Sequence, residues 1–148
     1  MIAHGEGKID RKRMGKYMKS MELRNKIEAG ELDEKLLDIY GEEKQLEYQK
    51  KRYADAVRIF EGNYGECDVA VFSAPGRSEI GGNHTDHQHG EVLAASINLD
   101  AIGIVRKTED GVVRVLSDDY PEVVISIEDL DINQEEKETT LSLVKGVL

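Results

Sequence analysis

The chain carries, at residues 73–90, the run Ser73-Ala74-Pro75-Gly76-Arg77-Ser78-Glu79-Ile80-Gly81-Gly82-Asn83-His84-Thr85-Asp86-His87-Gln88-His89-Gly90. This segment holds three of the chain's four histidines, together with an arginine, an aspartate and an asparagine. Runs of β-branched residues lie on both sides of it, and such runs predict strands. A polar, glycine-containing segment between two strands predicts a loop, and loops on a rigid scaffold commonly bind ligands. Residues 73–90 are therefore the candidate functional segment.

Five short β-branched runs predict the strands of the fold. They cover residues 68–73, 92–99, 101–107, 112–117 and 123–127. Residues 9–61 instead show apolar side chains at helical spacing, with breaks at Gly30 and Gly41. Thr139 or Thr140 can cap a last helix. This order predicts an α+β fold, in which N-terminal helices precede a mixed, mainly antiparallel sheet of about five strands.

The length of the chain, 148 residues, suits one domain with its own core. Within it we expect a helical N-terminal extension over residues 1–31 and a sheet-containing domain over residues 32–148. The apolar stripe of the last helix reaches the final residue, Leu148, without a polar tail. We therefore expect the chain to be one part of a longer protein.

Composition and charge argue against several classes of protein. No run of 18 or more apolar residues is present, so a membrane partner is not expected. The first residues lack the apolar region of an export signal, and a single cysteine, Cys67, suits a cytoplasmic location. Residues 61–148 carry 6 basic against 18 acidic side chains, which disfavours nucleic acid as a partner. The oligomeric state does not follow from the sequence.

Three interpretations of the candidate segment follow from its residue types. The first is a divalent metal site, because pairs of ligand-type residues lie two positions apart and point to one side of an extended chain. These residues are His84, Asp86, His87 and His89. The second is sugar recognition, in which Arg77 donates, Asp86 accepts, and Asn83 and His84 do both. The third is a polar turn that binds nothing.

Part of the candidate segment resembles the signature of the galactokinases, a family of the GHMP sugar and metabolite kinases. The matching residues are Ala74-Pro75-Gly76-Arg77, Ile80, Gly82, His84-Thr85-Asp86, Gly90 and Val92-Leu93. The resemblance extends from about Leu32 to residues 143–147. It implies that the fold is part of the GHMP kinase N-terminal domain and that the candidate segment binds a small sugar, galactose or a related hexose.

The resemblance also implies a role for each polar residue of the signature. Arg77 matches an arginine near the anomeric hydroxyl and the transferred phosphate, and is the predicted catalytic residue. His84 and Asp86 match residues that contact the sugar, and Asn83 stands where the family has an acid that contacts the C6 hydroxyl. We therefore predict Arg77, Asn83, His84 and Asp86 as substrate-binding residues. The change at Asn83 suggests a hypothesis of altered tolerance at C6, for example toward a uronate.

The function that the resemblance implies for the full-length protein is that of an ATP-dependent sugar 1-kinase. Such an enzyme transfers the γ-phosphate of ATP to the C1 hydroxyl of the sugar, with Mg²⁺. The family's second, serine-rich phosphate-binding motif is absent from these 148 residues. We therefore expect this chain alone to be inactive, to hold no metal site and to bind neither ATP nor Mg²⁺. The alternative is a catalytically silent sugar-binding or sensor protein with the same fold, and a metal-dependent enzyme is a third possibility.

Overall fold

A computed structural model describes residues 17–82, 90–117 and 120–148 of the chain. The chain divides into two compact units, Met1–Arg106 and Lys107–Leu148. In their described parts, the first unit contains three helices, a two-residue strand and two long strands, the first of which runs into the candidate segment. The second contains a pair of short strands and a short helix.

The helices of the first unit follow the apolar spacing of the sequence. α1 spans Ser20–Glu28, α2 spans Asp33–Tyr40, and α3 spans Leu46–Tyr64 after a 3₁₀ turn at Glu43–Gln45. Gly30 lies between α1 and α2, and Gly41 ends α2, so both predicted breaks are confirmed. In α3, Tyr53, Val57 and Phe60 recur at helical spacing and are buried.

The start of the first helix differs from the prediction. Met18 belongs to the predicted helical stripe, but Met18–Lys19 form β1, which pairs antiparallel with residues 68–69. The amide of Ser20 donates to the carbonyl oxygen of Cys67 at 2.9 Å. Backbone pairing with a neighbouring segment therefore overrides the helical pattern at this point, since intrinsic propensity is a weak preference.

Two long antiparallel strands form the ladder of the first unit. β2 spans Asp68–Gly81 and β3 spans Leu93–Val105. The sequence prediction ends the first strand at residue 73 and divides the second at Asp100, and both predictions are wrong. Pro75 and Asp100 lie inside the ladder because they are register partners, and the carboxylate of Asp100 accepts hydrogen bonds from the helices.

The core of the first unit lies between the helices and one end of this ladder. Its buried members come from all three helices and from β2. They are Leu23, Ile27, Leu36, Tyr40, Tyr53, Ala54, Val57, Phe60 and Val69. Leu23 and Ile27 belong to the predicted N-terminal extension, and their helix packs against α3. The proposed domain boundary at residue 31 stays a prediction.

The second unit pairs β4, Val112–Val115, with β5, Val123–Ser126, in antiparallel register. α4 spans Thr140–Lys145, and the Oγ1 atom of Thr139 accepts a hydrogen bond from the amide of Ser142 at 3.2 Å. The predicted N-terminal cap of this helix is thus confirmed.

The α+β class and the antiparallel pairing are confirmed, and five strands occur in the described part of the chain. They form two sheets, of three and two strands, rather than the one predicted sheet. The reason is that β4 pairs with β5 and leaves the β1–β2–β3 sheet separate. Within the described ranges, no helix is both long and apolar enough to cross a membrane.

Candidate functional site

Arg77 lies on β2, where it is the register partner of Ser96. Its side chain is 59% exposed, and its Nη2 atom lies 3.4 Å from a carboxylate oxygen of Glu79. Residues two apart on a strand point to the same face, which explains this contact. The ladder therefore presents the guanidinium of Arg77 at the surface, near the carboxylate of Glu79.

An irregularity in the ladder immediately precedes Arg77. Pro75 pairs with Asp100 but Arg77 pairs with Ser96, so that Gly76 alone faces residues 97–99. A Cβ atom at position 76 would lie 3.2 Å from the carbonyl oxygen of Leu99 and from the side chain of Ile97. Glycine allows this close approach because it has no side chain. Gly76 therefore accommodates the register shift that precedes Arg77.

Gly82 ends the described part of the segment on the β2 side. Its φ of 108° lies in a region that side-chain-bearing residues rarely adopt. A Cβ atom there would lie 2.5 Å from the carbonyl oxygen of Glu91 and 2.6 Å from Cα of Val92. The backbones on the two sides of residues 83–89 thus approach each other at a point where only glycine fits without a shift.

Of the predicted site residues, the structure describes Arg77. The other three, Asn83, His84 and Asp86, lie outside the described residues, and so do His87 and His89 of the metal interpretation. Their roles stay predictions. Elsewhere, in the ranges that the structure describes, no group of three or more His, Cys, Asp or Glu side chains could hold a metal ion.

A partly buried polar cluster, which sequence reasoning missed, lies where the ladder meets the helices. Its centre is Asp100, whose side chain is 4% exposed. The carboxylate accepts hydrogen bonds from the Tyr40 hydroxyl at 2.8 Å, from Nη1 of Arg52 at 2.6 Å and from the Ser73 hydroxyl. Nη2 of Arg52 also donates to the backbone carbonyl oxygen of Asp100 at 2.6 Å. We call Tyr40, Arg52, Ser73 and Asp100 the Asp100 cluster.

The charges of the Asp100 cluster stabilise each other. Burial by itself raises the pKa of Asp100, but hydrogen bonds from Ser73, Arg52 and Tyr40 and the charge of Arg52 outweigh burial and lower it. Burial by itself lowers the pKa of Arg52, and its bonds to Asp100 outweigh that effect and raise it. Burial and the hydrogen bonds to Tyr53 and Asp100 raise the pKa of Tyr40. At neutral pH the cluster therefore holds an ion pair beside a neutral tyrosine.

One signal in the sequence could have indicated this cluster. Asp100 is a lone acid among apolar residues, between Leu99 and Ala101, in a run that otherwise predicts a strand. A carboxylate is rarely buried in a strand without a cation or several donors. The sequence does not tell which donors these are, since Tyr40 and Arg52 lie 60 and 48 positions away.

Comparison with protein families adds information about the ladder. The family model described as the galactokinase galactose-binding signature matches residues 58–107. The matched range begins in α3 and includes all of β2 and β3, with Arg77 and Asp100. The family match and the described geometry therefore concern the same part of the first unit.

Several curated bacterial proteins named galactokinase are similar to the chain. That of Enterococcus faecalis is 38% identical over 88 residues, which is 57% of this chain and 22% of the relative. That of Lactococcus lactis (strain IL1403) is 28% identical over 130 residues, or 87% of this chain and 27% of the relative. The galactokinase of Clostridium tetani is 35% identical over 85 residues, which is 57% of this chain and 21% of the relative. The aligned part thus spans about a quarter of these relatives' length, and no solved structure matches the chain.

Proposed function

We propose that this chain, a segment of the galactokinase family, is the sugar-binding part of an ATP-dependent sugar 1-kinase. The full-length enzyme would transfer the γ-phosphate of ATP to the C1 hydroxyl of galactose or a related hexose. The observation that carries the proposal is the galactose-binding signature over residues 58–107, which coincides with the ladder that presents Arg77. We propose also that residues 32–148 are an incomplete part of the GHMP kinase N-terminal domain and that the enzyme is cytoplasmic.

Arg77 is the residue that we assign to the reaction itself. A guanidinium presents paired N–H donors that match the oxygen geometry of a phosphoryl group. Phosphoryl transfer is accelerated mainly by positioning and by fixed charges near the developing negative charge. The exposed side chain of Arg77, on a strand rather than a loose loop, supports such a role. The nearby carboxylate of Glu79 orients the guanidinium until an anion competes for it.

The sugar contacts are assigned to Asn83, His84 and Asp86. An asparagine both donates and accepts hydrogen bonds, whereas the family's acid at position 83 only accepts. The C6 end of the pocket is therefore where we expect the substrate preference to differ. A panel of galactose, 6-deoxygalactose and galacturonate, assayed as substrates of the full-length protein, tests this hypothesis. A clear preference for unmodified galactose would overturn the altered specificity and leave the kinase proposal intact.

We assign ATP and Mg²⁺ to the complete enzyme, as the similarity to galactokinases implies. The residues that the structure describes do not fit a metal site of their own, because they include no group of three or more potential ligands. We therefore assign no part of the reaction to a metal ion bound by these residues. The expectation that the 148-residue chain alone is inactive is part of the proposal.

The relatives do not favour the alternative of a silent sugar sensor, since those compared are all named galactokinase. A sensor would bind sugar without forming a sugar phosphate. One assay distinguishes the two functions. The full-length protein is incubated with galactose and ATP, and ³¹P NMR follows the phosphorus signals of the nucleotide and of any sugar phosphate. Formation of a sugar 1-phosphate and ADP supports the kinase. Sugar binding without turnover would overturn it.

The decisive variant is Arg77→Ala in the full-length protein. Loss of one preorganised donor at a developing charge lowers kcat by about 10²–10³-fold. The matched control is Arg58→Ala, which removes an arginine that pairs with Glu28 and Asp55 at the surface of α3. We expect the control to keep kcat within about twofold, as exposed ion pairs contribute little. An unchanged kcat in Arg77→Ala would contradict the assigned role.

A further inference from the structure

We propose that Asp100 and Arg52 are positioning residues for Arg77, which they hold in place through the ladder. This inference rests on the proposed function, since it assumes that Arg77 acts on the transferred phosphate. The observation that carries it is the location of the Asp100 cluster, between the packed end of the ladder and the register shift that precedes Arg77.

The first step concerns where the ladder stops packing against the helices. Val71, Ile102 and Ile104 are partly buried and pack against the core. Farther along the ladder, Leu99 is 71% exposed and Ile80 is 69% exposed. The outer ladder, which we define as residues 74–81 and 93–99, therefore extends beyond the hydrophobic contacts, and Ser73 and Asp100 lie at the boundary.

The second step concerns what the Asp100 cluster joins. Tyr40 belongs to α2, Arg52 to α3, Ser73 to β2 and Asp100 to β3. Arg52 donates to the carboxylate and to the backbone carbonyl oxygen of Asp100, so that it fixes the strand as well as the side chain. Paired bonds from a planar guanidinium define direction as well as distance. The cluster thus ties two helices to both strands at one point.

The third step connects this point to Arg77. Asp100 is the register partner of Pro75, and only Gly76 separates Pro75 from Arg77. Proline has no N–H to donate to the ladder, and glycine adds backbone freedom. The ladder is consequently weak just before Arg77, and the bonds from Arg52 and Tyr40 supply a constraint at the residue opposite Pro75.

The choice of charged residues also favours a positioning role. Replacing a buried ion pair by apolar residues of similar size is often neutral or stabilising, so stability alone does not require Asp100 and Arg52. A pair with defined hydrogen-bond directions restricts geometry more than apolar contacts do. A displacement of about 1 Å in a reacting group costs about 10²-fold in rate. Small movements of the outer ladder therefore matter for the reaction before they matter for folding.

The test is a double-mutant cycle in the full-length protein, with ATP and galactose. Asp100→Asn keeps the shape of the side chain and removes its charge. We expect it to lower kcat by about 10–100-fold in the wild-type background and to change KM for the sugar by less than about threefold. In the Arg77→Ala background the same change should lower kcat by less than about twofold, because the group it positions is gone.

The outcomes separate this inference from the proposed function. A loss of kcat by the same factor in both backgrounds, or no loss in either, would overturn the positioning role while Arg77→Ala still impairs turnover. An unchanged kcat in Arg77→Ala would overturn the proposed function itself, and the inference with it. Arg58→Ala, on the same helix as Arg52, is the control and should leave kcat unchanged in both backgrounds.

Milder variants cover the case in which Asp100→Asn does not fold. Ser73→Ala removes one donor and keeps the ion pair, and Arg52→Lys keeps the charge but cannot make both bonds to Asp100. Each should lower kcat less than Asp100→Asn does, and only while Arg77 is present. A loss of kcat in either variant that persists in the Arg77→Ala background would overturn the inference.

Discussion

The two ends of the same ladder differ in their surroundings, although both are rich in aliphatic residues. At the packed end, Val69 is 0% exposed and Ala70 is 1% exposed beneath the helices. In the outer ladder, Ile80, Leu93 and Leu99 are each more than 60% exposed. Residue type is therefore not what separates them. The difference is that the helices cover one end, and Arg77 lies on the other.

This difference indicates how the first unit divides its tasks. Burial at the packed end provides most of the hydrophobic stabilisation, which grows with the apolar area removed from water. The outer ladder carries Arg77, which we assign to the transferred phosphate. The Asp100 cluster lies between the two parts, where we propose that it holds Arg77 in place.

The largest expected effect compares one deletion in the two environments. Ile27→Ala should lower the free energy of unfolding by about 2–5 kcal/mol, because it opens a cavity in the core. Ile80→Ala removes the same atoms from an exposed position and should change the free energy of unfolding by less than about 0.5 kcal/mol. Urea denaturation of the 148-residue chain followed by circular dichroism measures both. Similar losses in the two variants would contradict the division into a packed end and an exposed end.

A smaller effect is expected at the boundary between the two ends, and it depends on pH. Asp100→Asn should lower the free energy of unfolding at pH 7 by about 1.5–3 kcal/mol, since hydrogen bonds to a charged group are lost. The folded pKa of Asp100 is lowered, so its contribution is complete above the unfolded-state pKa and is lost as the pH falls through the folded pKa. The stability difference between wild type and variant should be constant from pH 7 to about pH 5 and decrease below about pH 4.

Denaturation curves at several pH values measure this difference. Arg58→Ala serves as the control, because its partners Glu28 and Asp55 are partly exposed and the pair contributes little. A difference that persists undiminished at the lowest pH, or that decreases toward alkaline pH instead, would contradict the assigned ion pair at Asp100.

The smallest expected effect lies at the residue that follows the outer ladder. Gly82→Ala should lower the free energy of unfolding by about 1–3 kcal/mol, because a Cβ atom there meets the backbone at a positive φ. Gly81→Ala, one position earlier, meets no atom within 4 Å and is the matched control. Thermal unfolding compares the two. Equal stability of the two variants would show that the close approach at Gly82 is not retained in solution.

Much of the first unit could be predicted from the sequence. The helical spacing of Tyr53, Val57 and Phe60 identified a buried face, and Gly30 and Gly41 indicated where helices end. The signature around Arg77 indicated the family, which the match over residues 58–107 supports independently. These are local properties, because periodicity and motif spacing depend on residues that are close to each other in the chain.

The sequence prediction was wrong where a local signal competed with a distant partner. The prediction ended one strand at residue 73, before Pro75, and divided another at Asp100. Both positions lie inside the ladder, because the strands pair across them and Asp100 has donors on two helices. No local pattern tells whether such a partner exists.

The sequence by itself determined the α+β class, the three helices that precede the long strands, and the signature that contains Arg77. Only the tertiary structure decided how long β2 and β3 are, how five strands divide into two sheets, and which side chains surround Asp100. The physical reason is the separation along the chain between the residues that interact. Helical and strand patterns arise between near neighbours. The donors to Asp100 come from residues 27 to 60 positions away, which meet it only when the strands pair and the helices pack on the ladder.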